Sequence, residues 1–252
     1  MKRLFGLIGT PLSHSFSKTY FTEKFASEKI LDAKYKEFPL KEIGMLPELI
    51  EKNPDLLGLN VTIPYKLKVM NFMDEVDSVA NDVGAVNTIV VTRDKDYSKS
   101  ISLKGYNTDV KGFELSLVPI IGPEHTSALV LGSGGAARAI IYVLKKLGID
   151  YKVVSRNPTG GRSISYDDLT KDIMESHSLI INSSPVGIEP NTGAAPNIPY
   201  EYLNSTHILY DLIYNPEETE FLKRGKLAGA TTKNGLEMLK AQAEKSWEIW
   251  NL

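Results

Sequence analysis

Short apolar runs alternate along the chain with segments whose apolar positions recur at helical spacing, the pattern of an α/β fold with mostly parallel strands. It predicts strand Leu4–Ile8, a helix from about Ser17 to Glu28, strand Ala33–Phe38, a helix around Leu40–Lys52 and strand Leu56–Val61. A further helix is predicted from Pro64, because proline at the first helical position loses only an N–H that has no helical partner. Ala85–Thr92 reads as β-rich, Arg93–Lys99 as a polar turn and Ser100–Tyr106 as the next strand.

A second system is predicted from Asp109, whose side chain is suited to cap a helix over Val110–Leu117. A Gly/Pro-containing connector, Ile120–Thr126, leads to strand Ala128–Leu131, a glycine turn, helix Ala136–Leu147 and strand Tyr151–Ser155. That is a βαβ unit of ordinary crossover length. Strands follow at Leu179–Ile181, Ile208–Asp211 and Gly229–Thr231. Gly235–Trp250 reads as an amphipathic helix with Leu236, Leu239, Ala243, Trp247 and Trp250 on one face. Asn182–Pro199, with four prolines and two glycines, is a long loop of the kind that is more often functional than idle.

Composition narrows the class. At 252 residues the chain has length for one large domain or two modest ones. With 42% hydrophobic and 24% charged residues it reads as an ordinary globular protein. A net charge of −2 gives no bulk attraction for nucleic acid or anionic lipid. The absence of cysteine excludes disulfides, thiolate metal sites and thiol nucleophiles, which fits a cytoplasmic location. The start, MKRLFGLIG, is broken by Gly6, Gly9 and Pro11 and is too short for a signal-peptide core, so it reads as a buried first strand. No run approaches the ~18 apolar residues of a membrane span. None of the four histidines sits in metal-ligand spacing.

The most specific local chemistry lies in LVLGSGGAARA. Gly132, Gly134 and Ala137 form a G-x-G-x-x-A pattern directly after a strand, with Gly135 and Ala136 opening the helix. The first glycine permits a tight turn and the second lets backbone approach a pyrophosphate. Ala137 lets helix and strand pack closely, and the helix N-terminus offers N–H groups to the anion. An NAD site places a carboxylate at the end of the following strand. Here the residues are Ser155, Arg156 and Asn157, and an arginine pairs with a 2′-phosphate that an acid would repel. The cofactor expected is therefore NADP(H).

The segments GTPLSHSFS, NVTIPYK, GAVNTI, GYNTD, GSGGAARA, YDLIYNP and NGLEMLKAQA occur in that order from near the start to near the end. In this ordered set the chain resembles the shikimate dehydrogenase family. The resemblance implies a substrate domain over 1–108 plus 234–252 and a Rossmann-type NADP domain over 109–233, with a cleft that closes over both ligands. It implies Lys66 and Asp109 as the catalytic pair. Ser13 and Ser15 are assigned to the substrate carboxylate, and their i, i+2 spacing presents both hydroxyls on one side. Asn60, Thr62, Asn87 and Gln242 are matched to hydroxyl recognition, Tyr214 to the substrate side, Leu212 or Ile213 to the nicotinamide, and Gly235 to close approach of backbone to the cofactor ring.

The activity implied is reversible NADPH-dependent reduction of 3-dehydroshikimate to shikimate, in chorismate and aromatic amino-acid biosynthesis. A small-molecule substrate, no nucleic acid, no membrane, and a monomer or homodimer complete the expectation. Two rivals stand beside it: a quinate/shikimate dehydrogenase preferring NAD, and a non-catalytic shikimate-binding paralogue. The chain departs from the family pattern in SRNPTGGRSIS, where Pro158 and two glycines stand at the start of an expected helix. There a helix is expected to be missing or shortened, with Arg162 as a second phosphate contact. The polar loop Glu189–Asn197 is the other departure.

Overall fold

A computed structural model of the chain describes residues 2–12, 16–93 and 101–252. They divide into two compact units, one of residues 1–108 with 242–252 and one of residues 109–241. Each is an α/β layer structure.

The first unit runs β1 (Arg3–Gly9), α1 (Phe16–Ser27), β2 (Ala33–Pro39), α2 (Leu46–Lys52), β3 (Leu56–Val61), β4 (Glu75–Val76), α3 (Ser78–Val83), β5 (Thr88–Arg93) and β6 (Ile101–Tyr106). Its sheet has the order β2-β1-β3-β5-β6-β4. β1 pairs in parallel with β2 and β3, while β5 runs antiparallel to both β3 and β6. Strand β1, next to the edge strand β2, is buried on both faces and sorts its side chains with period two. Leu4 and Ile8 enter a cluster with Leu46, Ile50, Leu59 and Val69; Phe5 and Leu7 enter another with Phe21, Phe25 and Trp250. Phe5 stacks on Trp250 at 4.8 Å and meets Trp247 edge-on at 5.4 Å.

Two differences from the predicted pattern have local causes. No helix starts at Pro64: Tyr65 N–H donates to the Thr62 carbonyl (2.9 Å) and its buried hydroxyl donates to the Leu40 carbonyl (2.8 Å). That anchor makes a turn, and helical backbone follows only as a 3-10 segment over Lys68–Phe72. The short helix α3 was not predicted, yet it is capped at both ends. The Asp77 carboxylate accepts from Val79 N–H (3.0 Å), and Gly84 closes the helix at φ +68°.

The second unit runs α4 (Asp109–Leu117), β7 (Ser127–Leu131), α5 (Gly135–Lys146), β8 (Asp150–Val154), β9 (Ser163–Ile164), α6 (Lys171–Ser176), β10 (Leu179–Asn182), β11 (Ile208–Asp211), α7 (Glu220–Leu227), β12 (Thr231–Lys233) and α8 (Leu236–Trp250), the last of which ends in the first unit. Its sheet, β12-β11-β10-β7-β8-β9, is parallel at every pairing, a Rossmann-type doubly wound arrangement. β7 lies between two wings, so the strand order reverses at β7 and β10, where such sheets open a ligand crevice at the strands' carboxyl ends. The fully buried Leu129, Leu131, Ile180, Leu209 and Phe221 fill one core.

The division between the units falls inside α8, before Gln242. The buried side of α8 is rotated from the predicted stripe: Ala243 and Trp250 are buried, Leu236, Leu239 and Trp247 only half so, and Met238, Gln242, Ser246 and Ile249 take the interior. Two of these are polar, which a hydrophobic pattern does not select.

Candidate active site

In the first unit, Asn60 is the next-to-last residue of β3, Asn87 precedes β5, Thr108 follows β6 and Gln242 lies on α8. One buried hydrogen-bond network joins them. The Asn87 amide oxygen accepts from Thr108 N–H (2.7 Å), and its nitrogen donates to the Thr108 hydroxyl (3.0 Å). The Thr108 hydroxyl reaches the Gln242 amide oxygen at 3.4 Å. Asn60 donates to the Ser246 hydroxyl (2.9 Å) and to Thr88 Oγ1 (3.2 Å), and accepts from the Tyr35 hydroxyl (2.8 Å). Burial pushes the Tyr35 phenol up, so it remains a neutral donor. Such a network is costly to bury unless fully paired, and once paired it fixes every member's orientation.

The structure thus brings together Asn60, Asn87 and Gln242, which the family resemblance named separately. Thr88, Thr108, Ser246 and Tyr35 were not named at all. Thr108 was within reach of sequence reasoning, since it sits inside the GYNTD block; Ser246 gave no signal beyond its helical spacing from Gln242. Both ends of the Asn60 amide are engaged by protein groups, so it holds the network's geometry. Thr62 and Lys66 are half-buried in the turn after β3, where the Lys66 carbonyl accepts from Val86 N–H (2.8 Å). Ser13 and Ser15 lie outside the described residues.

In the second unit, Asp109 is buried as the first residue of α4. The glycine turn stands at the carboxyl end of β7. Gly132 has φ +109°, and a Cβ there would lie 3.0 Å from Ser183 Oγ and 3.3 Å from Ser184 N, so glycine is required on both counts. Gly134 precedes α5 in extended conformation, with open space where its Cβ would be, leaving the backbone accessible to a ligand. Gly135 and Ala136 are half-buried at the helix start, and Ala137 is fully buried where α5 packs on the sheet. With no acidic residue in the first turn of α5, the site suits a pyrophosphate.

Beyond β8, Ser155 makes a turn, its hydroxyl accepting from Asn157 N–H (3.2 Å), and Arg156 and Asn157 are exposed. The expected helix is indeed absent here: a bend leads to the two-residue β9, and only the six-residue α6 follows. A groove of about 400 Å³ opens in that place, lined by Ser133, Ala137 and Ile141 with Tyr151 and Val153 of β8 and the Thr159–Ser163 stretch. Arg162 lines it as well, and its guanidinium pairs with Asp150 and lies over the Tyr151 ring at 5.1 Å, toward the start of β8. No group of three or more acidic or histidine side chains positioned for a metal occurs among the described residues, and no helix among them is long and apolar enough to cross a membrane.

At the carboxyl end of β11, Leu212 N–H donates to the Asn182 carbonyl (3.0 Å) and Gly235 N–H to the Ile213 carbonyl (3.1 Å). A Cβ on Gly235 would lie 2.1 Å from the Leu212 carbonyl oxygen, so only glycine permits that approach. Tyr214 follows, half-buried. Asp211 is fully buried, and burial raises its carboxyl to about 6, against about 3.9 in an unfolded chain. The native state therefore holds a proton that the unfolded state releases between those values. The associated stability is complete below pH ~4 and lost as pH rises through ~6. Across that interval the wild type should lose stability relative to Asp211→Asn, on the order of 2–3 kcal/mol, read from urea unfolding at both ends. Parallel pH profiles would contradict the assignment.

The chain shares sequence with characterised families over nearly its full length. A family model described as the shikimate dehydrogenase substrate binding domain matches residues 7–89. A relative from Carboxydothermus hydrogenoformans, named shikimate dehydrogenase (NADP(+)), is 37% identical over 98% of this chain and 91% of its own. Among solved structures, shikimate dehydrogenase 1 from Peptoclostridium difficile is 36% identical, covering 99% of this chain and 91% of that one, with a TM-score of 0.85. Shikimate 5-dehydrogenase from Thermus thermophilus, solved with NADP(H) and shikimate, is 29% identical over 98% and 93%, with a TM-score of 0.83. By that extent of shared sequence, which the local geometry of both units accompanies, this chain belongs to the shikimate dehydrogenase family.

Proposed function

We propose that the protein catalyses the NADPH-dependent, reversible reduction of 3-dehydroshikimate to shikimate, with the first unit recognising the acid and the second the dinucleotide. The observation that carries the cofactor half is the glycine turn at the switch point of a parallel sheet, followed by a β8 end that bears Arg156 and no carboxylate. NADPH, when bound, supplies the hydride.

The chain's own residues do the rest. Gly132, Gly134, Gly135, Ala136 and Ala137 present backbone to the pyrophosphate, and Arg156, with Ser155 and Asn157, receives the 2′-phosphate. Leu212 lines the nicotinamide, and Gly235 keeps the neighbouring backbone close. Ser13 and Ser15 hold the substrate carboxylate; Thr62, Asn87, Tyr214 and Gln242 read the ring hydroxyls, with Asn60 setting the network behind them. Hydride addition leaves negative charge on the carbonyl oxygen, and Lys66 acts there as an ammonium, either by stabilising that charge alone or by also giving the proton. Asp109 pairs with the ammonium and accepts from an adjacent substrate hydroxyl. A quinate enzyme preferring NAD is disfavoured by Arg156, and a silent binding paralogue has no use for a Lys66–Asp109 pair.

Arg156→Ala tests the cofactor half. KM for NADPH should rise by ~10- to 100-fold, the worth of a charge-assisted contact of about 1.5–3 kcal/mol, while KM for NADH stays unchanged. An equal rise for both cofactors would remove Arg156 from the phosphate site.

A further inference from the structure

Among the buried titratable groups, Asp211 has no part in the chemistry above, yet it makes three hydrogen bonds at the end of β11. Oδ1 accepts from Asn182 Nδ2 (3.0 Å) and from Ile213 N–H (3.0 Å); Oδ2 accepts from the Thr219 hydroxyl (2.6 Å). Asp211 and Thr219 are fully buried. A carboxylate in such a place is expensive, and an apolar side chain would fill the same core at lower cost. What an apolar side chain lacks is the grip on both ends of the segment that follows: Ile213 near its start, Thr219 at its close.

The third bond extends the arrangement to the neighbouring strand. Asn182 is in register with Asp211, and its amide oxygen accepts from Ser184 N–H (3.1 Å) and the Ser184 hydroxyl (2.6 Å). One carboxylate–amide pair therefore governs the two chain segments that leave the carboxyl ends of β10 and β11, the edge where an open parallel sheet takes its ligand. Leu212 is fixed from two further directions, by the Asn182 carbonyl and by the close pass of Gly235.

We propose that Asp211 is a positioning residue, its carboxylate drawing Ile213 N–H and the Thr219 hydroxyl together across the neck of the 212–219 loop so that Leu212 and Tyr214 meet nicotinamide and substrate in a fixed geometry. This rests on the reading of Leu212 and Tyr214 given under the proposed function. The side chain touches no ligand; its effect is exerted through the loop. A misplacement of about 1 Å at a reacting centre is enough to cost ~10²-fold in rate.

The test uses the whole enzyme and four variants: Asp211→Asn, Thr219→Val, Thr219→Ser and Leu212→Ala. Three quantities are read: kcat for shikimate oxidation, affinity for 2′,5′-ADP, and the change in NADPH fluorescence on binding. Asp211→Asn and Thr219→Val should lower kcat by ~10- to 100-fold and alter the bound NADPH fluorescence. Affinity for 2′,5′-ADP, which lacks the nicotinamide, should remain that of wild type, and Thr219→Ser should restore kcat. Should Asp211→Asn fail to fold, Thr219→Val carries the same comparison. Wild-type kcat in Thr219→Val, or loss of 2′,5′-ADP binding in step with kcat, overturns the inference, the latter by reducing Asp211 to a general structural role. Leu212→Ala separates the two layers. If it alone perturbs kcat and fluorescence, the nicotinamide assignment stands and the positioning role falls. If it perturbs neither, the assignment itself falls and takes the inference with it.

Discussion

Replacing Lys66 by alanine is expected to lower kcat by ~10²- to 10⁴-fold, the range a positioned proton donor or fixed charge contributes, with KM for shikimate changing far less. The effect is differential: in the ground state of either direction the reacting oxygen carries at most a partial charge, and most of the Lys66 interaction develops as the hydride transfers. A loss confined to kcat marks a group acting in the transition state, whereas a loss confined to KM marks ordinary binding. Stopped-flow single turnovers with excess enzyme read the chemical step directly. A single-turnover rate equal to wild type would remove Lys66 from catalysis. Lys66→Arg refines the outcome, since an arginine keeps the charge but holds its proton too tightly to transfer it. Activity near wild type in that variant assigns Lys66 to charge stabilisation alone.

Gly235→Ala is expected to have the next largest effect. The added Cβ would lie 2.1 Å from the Leu212 carbonyl oxygen, and both atoms belong to backbone rather than to the end of a flexible side chain. One of the two segments must move. Overpacking of this kind costs about 1–3 kcal/mol, which corresponds to ~5- to 150-fold if it falls on cofactor binding. Leu212 and Ile213 are the residues displaced, so the loss should appear in KM for NADPH and in kcat, with 2′,5′-ADP affinity retained. Isothermal titration with both ligands checks this. Wild-type NADPH affinity in Gly235→Ala would show that the Leu212 carbonyl yields freely and that the close pass has no bearing on the cofactor.

These positions also show how far sequence patterns reach. The β7–α5–β8 unit was legible almost residue by residue, because a short apolar run, a glycine turn and a helical stripe all point to one local structure. Gly132 was legible as glycine for a tight turn, and its φ of +109° is the physical form of that requirement. The helix expected at Pro64 was not realised, because the buried Tyr65 hydroxyl bonds to the Leu40 carbonyl, a contact between residues far apart in sequence. Short α3 escaped because its six residues span too few turns to display a period; its caps were the better signal. Ser246 and Tyr35 escaped for a different reason. Their importance lies in whom they bond, Asn60 above all, and no spacing in one sequence encodes a partner on another element. The contacts of Arg162 with Asp150 and Tyr151 are of the same kind, since they join residues that no spacing in one sequence pairs.

Initial rates of the purified protein with shikimate or quinate, each paired with NADP+ or NAD+, decide whether this chain is an NADP-linked dehydrogenase for shikimate. The pairing of shikimate with NADP+ should have by far the highest kcat/KM, with quinate slow on either cofactor. Efficient quinate oxidation with NAD+, matching or exceeding shikimate with NADP+, would contradict that assignment.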